Sequence, residues 1–380
     1  MTPSTYSKGL EGIIAGESAI CLIDGQKGKL SYLGYSVDEL AEKSSFEETT
    51  YLLLHGRLPN RAEMAEFSAR MRAQRALTPE VLEMIRAFPE AAHPMELLQS
   101  VVSYLGSYVQ HKIHHSTSCD CRRTLHQVAQ MATVIAAWQR FHEGKDPVAP
   151  REDLSHGANF LYMLRGTPPD ELEGRIFESC LVLHAEHGFN ASTFTARVVA
   201  STMSTCYCSI SAAIGALFGS LHGGANERVM QMVDAIGDSS RAKQWTADAL
   251  ARKAKIMGMG HREYKVKDPR SYLMETYLEA LSKAKNDTRY YDILKAVESS
   301  FHERMEEKGK PLYPNVDFFS GAVYRLLGIP SVLFTPVFAM ARVAGWLAHV
   351  LEQRVDNRLY RPESLYTGTS ARKYISLEER

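Results

Sequence analysis

The segment from 192 to 221 reads STFTARVVASTMSTCYCSISAAIGALFGSL, and its only charged residue is Arg197. More than half of its residues are Ala, Ser, Thr, Gly or Cys. Small side chains let helices approach one another closely, so this composition predicts a buried central helix or a pair of helices. An alanine-rich surface helix is the alternative, and the absence of charge after Arg197 argues against it.

Helical patterns continue on both sides of this segment and are separated by proline and glycine. Near the N-terminus, ICLIDGQKGKLSYLGY (residues 20–35) instead predicts a small β hairpin. The dipeptides Asp24-Gly25 and Lys27-Gly28 separate two short alternating runs there. The class is therefore all-α with a minor β piece at the start. The other predicted helices span 47–55, 61–75, 79–88, 95–108, 125–142, 175–187, 226–236, 244–256, 269–285, 290–305, 318–327 and 336–354, with a loop at 145–155.

Length and composition limit the kind of protein. A chain of 380 residues suggests two domains, and a hydrophobic fraction of 45% is enough for a sizeable core. The net charge is zero, so no overall field would attract nucleic acid or an anionic membrane. The apolar stretch 332–351 carries Arg342 near its centre, which favours a buried helix over a membrane span.

Cysteine use and the N-terminal sequence favour a cytoplasmic protein with reduced thiols. The N-terminal residues MTPSTYSKGLEG contain no apolar signal core and no arginine-rich presequence. The cysteines form no dense framework of the kind found in short secreted chains. They are Cys21, Cys119, Cys121, Cys180, Cys206 and Cys208.

The first motif that could carry chemistry is LHGGANE, residues 221–227, in which His222 precedes two glycines. One helical pattern ends here and another begins, and the glycines permit a tight turn and close approach of a ligand. The positive end of the new helix would point at His222 and oppose its protonation. A neutral imidazole can donate a hydrogen bond to a developing enolate. On local sequence alone, a solvent-exposed turn histidine stays an open alternative.

The second motif is GMGHREYK, residues 258–265, which places His261 on a loop after two glycines. Asp268 and Pro269 form a helix start, so Arg270 lies in the first turn of a rigid element. No strand precedes the glycines and the third glycine is missing, so this is not a dinucleotide-binding fingerprint.

Charge around the second motif is unbalanced. From 241 to 270 there are nine Lys or Arg residues against three acids, namely Asp248, Glu263 and Asp268. In a neutral chain this predicts a local site for an anion such as a nucleotide polyphosphate. For helix 244–256 taken alone, a solvated helix face is the favoured interpretation.

The third motif is YPNVDFFSG, residues 313–321, in which Asp317 lies between a proline turn and an apolar helix. Apolar neighbours would desolvate the carboxylate, raise its pKa and make it a stronger base. An ordinary helix-cap aspartate is the alternative, and it is the more common case locally.

Two groups of side chains resemble metal ligands without matching a known spacing. His184 and His187 stand three apart on a predicted helix, but no acidic ligand completes a site. A second cluster fits neither a paired CxxC nor an HxxxH pattern. It consists of His111, His114, His115, Cys119 and Cys121.

Taken together and in this order, the three motifs resemble the citrate synthase family, and the match covers nearly the whole chain. The resemblance extends to further segments along the sequence. They are GLEG (9–12), IDG (23–25), SFEE (45–48), LLLHGRLP (52–59), HAEHGFNASTF (184–194) and NRLYRP (357–362).

The resemblance implies a citrate-synthase-like two-domain helical fold with a small N-terminal β hairpin. Residues 1–223 and 331–380 would form the large dimerisation domain, and 224–330 the small mobile domain. The family works as a dimer without metal or cofactor. Because the match begins by residue 9, the resemblance also implies that the extra N-terminal domain of hexameric, NADH-inhibited relatives is absent.

By the family pattern, His222, His261 and Asp317 would be the catalytic trio. Asp317 would remove a proton from the acetyl methyl group of acetyl-CoA, and His222 would stabilise the enol through the thioester oxygen. His261 would polarise the carbonyl group of oxaloacetate, after which the citryl thioester is hydrolysed to citrate and CoA.

Binding residues are also implied by the resemblance. His187, Arg270, Arg342 and Arg361 would hold oxaloacetate, with Arg361 supplied by the neighbouring subunit. Arginine suits carboxylates because it donates two parallel hydrogen bonds. The backbone near Ile256, Gly258 and Gly260 would bind CoA, with Lys265, Lys308 and Lys310 near its phosphates.

The sequence departs from the common family pattern at three positions: Leu33, Glu263 and Ser271. Arginine, valine and alanine are common there, and Glu263 places an acid two residues from His261. An acid at this position would weaken phosphate binding nearby.

Three alternative functions stay open on the sequence. The closest is 2-methylcitrate synthesis from propionyl-CoA, because one extra methylene is worth only about 1–3 kcal/mol of discrimination. The others are a metal-dependent hydrolase built on the histidines and a non-catalytic homologue that only binds metabolites.

Overall fold

The computed structural model describes residues 6–108 and 121–380, with side chains from residue 125 onward in the second range. The predicted hairpin is confirmed as antiparallel strands β1 (Cys21–Asp24) and β2 (Lys29–Tyr32), paired from Cys21 with Tyr32 to Asp24 with Lys29. A short third strand, β3 (Tyr35–Ser36), was not predicted and extends the hairpin to a three-stranded sheet.

Helices make up most of the described chain and confirm the all-α class. Their bounds are α1 (Val37–Lys43), α2 (Phe46–His55), α3 (Arg61–Ala73), α4 (Pro79–Arg86), α5 (Pro94–Gly106), α6 (Cys121–His142), α7 (His156–Arg165), α8 (Glu171–His184), α9 (Ala191–Ser201), α10 (Cys206–Phe218), α11 (Ala225–Ile236), α12 (Ser239–Ala251), α13 (Pro269–Ala284), α14 (Arg289–Glu307), α15 (Val316–Leu326) and α16 (Phe334–Val355).

Two short helices and the bounds of several other helices differ from the sequence prediction, most of all α12, which was predicted at 244–256 and spans Ser239–Ala251. The helices α1 and α7 were not predicted, and α7 begins at a serine cap, Ser155, whose side chain accepts from the Ala158 N–H. The prediction that one helix reaches residue 187 was wrong, because α8 ends at His184. His184 and His187 therefore do not share a helix face.

The small-residue segment forms the predicted pair of central helices, α9 and α10, which pack against each other and against α16. The α9–α10 connection is short, and Thr205 at its end caps α10 with its side chain. Small side chains are what allow this packing, as expected from the composition.

Helix α16 is long and apolar enough to cross a membrane by length and composition, but it is a core helix here. It lies in the candidate span Ser331–Val355, and 83% of the apolar window is buried inside the protein. Arg342 is 1% exposed in the middle of this helix. The expected buried helix with a buried charge is what the structure contains.

The chain between α8 and α9 lies directly against α16. The Gly345 N–H donates to the carbonyl of Ala185 at 3.2 Å, and Arg342 Nε donates to the carbonyl of His184 at 2.6 Å. A β-carbon at Gly345 would lie 2.2 Å from Glu186 Oε2, so only glycine fits this approach. The contact fixes the position of the loop that carries His187.

The second and third sequence motifs are joined by hydrogen bonds. The Gly260 N–H donates to the carbonyl of Tyr313 at 2.8 Å, and the Asn315 N–H donates to the carbonyl of Gly258 at 2.9 Å. The Asn315 side chain adds a bond to the carbonyl of Gly260 at 2.8 Å. This pairing holds the loop of His261 beside the start of α15.

The β1–β2 turn lies against the same loop. The Lys265 N–H donates to the carbonyl of Gly25 at 2.9 Å, and a β-carbon at Gly25 would lie 2.1 Å from the carbonyl oxygen of Glu263. The division into domains at 223/224 and 330/331 stays a prediction. Under that division, this contact joins the large domain to the small one.

Replacing Gly345 by alanine should destabilise the protein by about 1–3 kcal/mol, because the added methyl group overlaps Glu186 and the Ala185 carbonyl. Urea unfolding at fixed protein concentration measures the change in the free energy of unfolding. Gly174→Ala in α8 is the matched control. Its nearest neighbours lie at 3.7 Å, so stability should be unchanged or rise by up to about 1 kcal/mol. Equal effects of the two substitutions would contradict the packing described.

Candidate active site

His261 is held by backbone donors in a fixed protonation state. Its Nδ1 accepts from the N–H groups of Glu263 at 3.0 Å and Tyr264 at 3.3 Å. A backbone N–H can only donate, so Nδ1 carries a lone pair and Nε2 carries the proton. Burial, and next the charge of Arg270, lower the pKa of His261 to about 4. The ring is therefore neutral at pH 7 and presents an Nε2–H donor.

His222 is neutral as well, in the turn between α10 and α11. Its Nε2 accepts from the N–H of Ser192 at 3.2 Å and lies 2.8 Å from the Ser192 hydroxyl oxygen. The proton therefore sits on Nδ1. Burial, and next Arg342, lower its pKa to about 4. The sequence predicted a neutral ring from the helix dipole, whereas burial is the main cause in the structure.

Asp317 lies in the first turn of α15, and Asn315 takes the capping role by accepting from the Asp317 N–H. Asp317 is therefore not the cap of this helix, and the helix-cap alternative was wrong. Among the described residues, no group donates a hydrogen bond to the Asp317 carboxylate. Burial raises its pKa to about 6, with Arg270 acting against this shift and Asp268 adding to it. The carboxylate is a stronger base than a solvated aspartate.

Arg270 is oriented by a buried aspartate. Asp268 accepts from Arg270 Nε at 3.0 Å and from Nη2 at 2.7 Å, a two-bond fork that fixes the plane of the guanidinium group. Burial lowers the pKa of Arg270, but Asp268 outweighs this effect and raises it overall. Nη1 makes no hydrogen bond within the described part of the chain.

Asp268 also joins α13 to α15. One of its oxygens accepts from the Arg270 N–H at 3.0 Å, which confirms the predicted helix cap. The other accepts from the Val316 N–H at 3.3 Å. The same carboxylate therefore positions the arginine and the turn that carries Asp317.

Arg342 is the second buried cation and leaves more of its donors free. Its Nε is tied to the carbonyl of His184, and its guanidinium lies 4.7 Å from the ring centre of Phe338. Neither Nη1 nor Nη2 has an acceptor among the described residues. Burial lowers the pKa of Arg342, and the carboxylate of Glu186 counteracts this. Both terminal nitrogens of this buried cation therefore have no fixed hydrogen-bond partner within the described residues.

His187 lies beside His261 and Tyr264. Its ring centre is 5.1 Å from that of His261, and its Nε2 is 3.0 Å from the hydroxyl of Tyr264. Burial, followed by Arg270 and His261, lowers the pKa of His187 well below its usual value. His187 is therefore a neutral ring at pH 7.

The remaining predicted binding residues are not all gathered here. Ile256 is buried, and Gly258 and Gly260 both have positive φ, at 77° and 83°. The carbonyl oxygen of each glycine accepts one hydrogen bond from Asn315 and keeps a second lone pair. Lys265 is exposed, and its Nζ donates to the carbonyl of Arg262 at 3.3 Å.

Three predicted residues are exposed on the surface, and within the described residues no hydrogen bond joins their side chains to His187, His222 or His261. Lys308 caps the end of α14 and Lys310 follows it, both exposed. Arg361 is exposed in the extended C-terminal tail, and its Nη1 donates to the carbonyl of Pro362. Within the described residues of one chain, Arg361 contacts none of the catalytic candidates.

Fewer of the basic residues in 241–270 are available to bind an anion than the count from the sequence suggests. Lys267 forms ion pairs with Glu275 and Glu298, and Arg270 is paired with Asp268. Acids outside or within the segment therefore neutralise two of the cations that had been counted toward an anion site.

The departures from the family pattern leave the site intact. The Glu263 side chain is exposed, and it is the backbone N–H of Glu263 that reaches His261. Ser271 is buried in α13, and Leu33 adopts a positive φ of 51° in the turn before β3.

The candidate metal ligands are only partly covered by the structure. His111, His114, His115 and Cys119 lie outside the described residues, as does the side chain of Cys121. Within the described residues, no group of three or more His, Cys, Asp or Glu side chains could hold a metal ion.

Sequence reasoning missed the side chains that orient the site. Asp268 was recognised as a helix cap but not as the partner of Arg270. Tyr264 and the buried pair of Glu186 and His349, with 2.9 Å between Oε1 and Nε2, were not singled out. An acid at the helix cap, two residues before an arginine, was the available signal, because the non-helical backbone of the cap turns its side chain toward the first turn of the helix.

The geometry defines a class of enzyme. Buried guanidinium groups with free donors suit a dicarboxylate, two neutral histidines with assigned N–H groups can polarise carbonyl oxygens, and an unpaired carboxylate can remove a carbon-bound proton. Together these groups support proton abstraction next to a carbonyl group, followed by condensation.

Comparison with known proteins identifies the family to which this class of enzyme belongs. A family model described as "Citrate synthase, C-terminal domain" matches residues 9–363. The citrate synthase of Deinococcus radiodurans is 46% identical over 99% of this chain and 100% of its own length. The 2-methylcitrate synthase of Shewanella oneidensis is 39% identical over 98% of this chain and 97% of its own length.

A solved structure is similar over the whole fold. It is that of the ternary complex of citrate synthase from Thermoplasma acidophilum with carboxymethyl coenzyme A and oxaloacetate. The TM-score is 0.92 at 32% identity, covering 99% of this chain and 100% of that one. The chain belongs to the citrate synthase family.

Replacing Asp317 by asparagine should stabilise the protein at pH 7.5 by about 1–2 kcal/mol, because the native fold raises the pKa of this carboxyl group. The ionised group disfavours the native state above pH 6, so the advantage of asparagine should shrink as the pH falls through 6. Urea unfolding at pH 7.5 and pH 5 measures both values. A destabilised variant, or a difference that does not change with pH, would contradict the proposed environment of Asp317.

Proposed function

We propose that this protein condenses acetyl-CoA with oxaloacetate and water to give citrate and CoA. The observation that supports the proposal most strongly is the combination of two neutral histidines and two buried arginines with Asp317, whose carboxylate accepts no hydrogen bond from the described residues. Membership of the citrate synthase family supports the same reaction.

Oxaloacetate would bind between the two buried cations. Arg270 offers Nη1 and Arg342 offers both terminal nitrogens to the carboxylate groups. His187 would bind the same molecule, and the Nε2–H of His261 would donate to its ketone oxygen. The fixed orientation of these donors reduces the entropy lost when the substrate binds.

The chemistry would begin at the acetyl group. Asp317 removes a proton from the methyl carbon, and the Nδ1–H of His222 stabilises the enol oxygen of the thioester. The enol carbon attacks the ketone of oxaloacetate, forming one carbon–carbon bond, while His261 protonates the ketone oxygen. Water then cleaves the citryl thioester and releases CoA, so no external oxidant or reductant is needed.

CoA would lie along the segment from Ile256 to Gly260, with Lys265, Lys308 and Lys310 near its phosphates. No cofactor or metal takes part in the proposed reaction. The exposure of Lys265 supports its role in binding phosphate, whereas the roles of Lys308 and Lys310 rest only on the family resemblance.

The proposed assembly is a homodimer in the cytoplasm, with neither nucleic acid nor a membrane as a partner. Exposed apolar side chains along the C-terminal tail, such as Leu365 at 76% and Tyr374 at 82%, suit burial against a second subunit. The cysteines whose side chains are described form no disulfide with one another, which suits a reducing compartment. They are Cys21, Cys180, Cys206 and Cys208.

Release of CoA, followed with a thiol reagent, tests the proposed reaction. With oxaloacetate present, kcat/KM for acetyl-CoA should exceed that for propionyl-CoA by about 10- to 200-fold. A preference for propionyl-CoA would make the protein a 2-methylcitrate synthase, the activity named for the Shewanella relative. No release with either acyl-CoA would make it a metabolite-binding homologue.

Asp317→Ala should abolish turnover, because no other described carboxylate in the site is available as a base. Oxaloacetate binding, measured by calorimetry, should stay within about threefold of the wild type, because the arginines are unchanged. Turnover that survives the substitution would show that the base is misassigned.

Mixing inactive variants tests whether Arg361 serves the neighbouring subunit. Asp317→Ala and Arg361→Gln dimers should each be nearly inactive. After dissociation and random reassociation, about a quarter of wild-type activity should return, because half of the dimers would contain one intact site of two. If Arg361 acted within its own subunit, mixing would restore nothing.

A further inference from the structure

Tyr264 contacts both histidines that face the proposed oxaloacetate site. It is 4% exposed, its ring centre lies 4.7 Å from that of His261, and its N–H donates to His261 Nδ1 at 3.3 Å. Its hydroxyl oxygen is 3.0 Å from His187 Nε2. No other described residue makes hydrogen bonds to both rings.

The backbone contact sets the protonation of His261. Because the N–H groups of Tyr264 and Glu263 both point at Nδ1, the proton of His261 must be on Nε2. The adjacent Lys265 N–H is tied to the carbonyl of Gly25, so this part of the loop is anchored to the β1–β2 turn.

The contact with the Tyr264 hydroxyl places the proton of His187 on Nδ1, whereas that of His261 is on Nε2. The oxygen atoms of oxaloacetate only accept hydrogen bonds, so His187 must present an N–H to bind it. Nε2 is occupied by Tyr264, which leaves Nδ1 as the donor and requires the phenol to donate to Nε2. Burial raises the pKa of the Tyr264 phenol, so its proton is available at neutral pH.

We propose that Tyr264 is a positioning residue that holds His187 in the Nδ1–H tautomer and His261 in the Nε2–H tautomer, so that each ring offers one N–H to oxaloacetate. This inference rests on the proposed function and deepens it. It assigns a role in dicarboxylate recognition to a residue that does not itself react.

Tyr264→Phe removes only the hydroxyl and keeps the ring that packs against His261. The tautomer of His187 is then no longer fixed, and a buried nitrogen loses its donor. The KM for oxaloacetate and its dissociation constant by calorimetry should both rise about tenfold, equivalent to ~1.4 kcal/mol. The KM for acetyl-CoA should change less than about twofold, because the CoA side of the site is untouched.

Tyr207→Phe is the matched control. The Tyr207 hydroxyl lies 3.0 Å from Nδ1 of His126, a tyrosine–histidine contact of the same length between α10 and α6, in which the tyrosine is buried and the histidine is half-buried. Any general loss of stability should be similar in the two variants. The KM for oxaloacetate should change only in Tyr264→Phe, and equal changes in both variants would overturn the proposal.

A double-mutant cycle separates action through His187 from a diffuse structural effect. If Tyr264 acts through His187, Tyr264→Phe should weaken oxaloacetate binding by less than about twofold in a His187→Gln background. A full tenfold effect in that background would overturn the proposal. Wild-type protein that binds oxaloacetate but releases no CoA would contradict the proposed reaction and leave the binding cycle interpretable.

Discussion

Two positive charges buried in one site are the constraint on which the rest of this structure depends. Arg270 and Arg342 are 2% and 1% exposed, and the charge of each acts to lower the pKa values of His187 and Asp317. Burying a charge without a partner is costly. Asp268 offsets the cost at Arg270 by direct pairing, whereas Glu186 acts on Arg342 without a hydrogen bond to its guanidinium, and donors are left free for an anionic substrate.

Burial and the same two cations act together on the groups that would react. Burial is the main cause that lowers the pKa of His222 and of His261, and Arg342 and Arg270 respectively add to it, so both rings stay neutral and can donate a single defined proton. Asp317 has a raised pKa because burial outweighs the cations, and no donor in the described part of the chain stabilises its ionised form. A stronger base and two neutral donors thus follow from burial and charge in one small volume.

The sequence predicted the class, the hairpin and most helices, because apolar periodicity and glycine or proline boundaries are local signals. It also singled out His222, His261 and Asp317 from their turns. It missed α1 and α7, which are short, and extended α8 to His187. The role of Tyr264 and the pairing of Asp268 with Arg270 depend on loop geometry and on hydrogen bonds between distant segments, which periodicity does not record.

Calorimetric titration of the protein with oxaloacetate and with pyruvate, without acyl-CoA, tests the central claim most directly. Pyruvate keeps the keto acid but lacks the second carboxylate. If Arg270 and Arg342 each hold a carboxylate, oxaloacetate should bind about 10- to 100-fold more tightly, the value of one charge-assisted contact. Equal affinities for the two ligands would contradict a site organised around two buried cations.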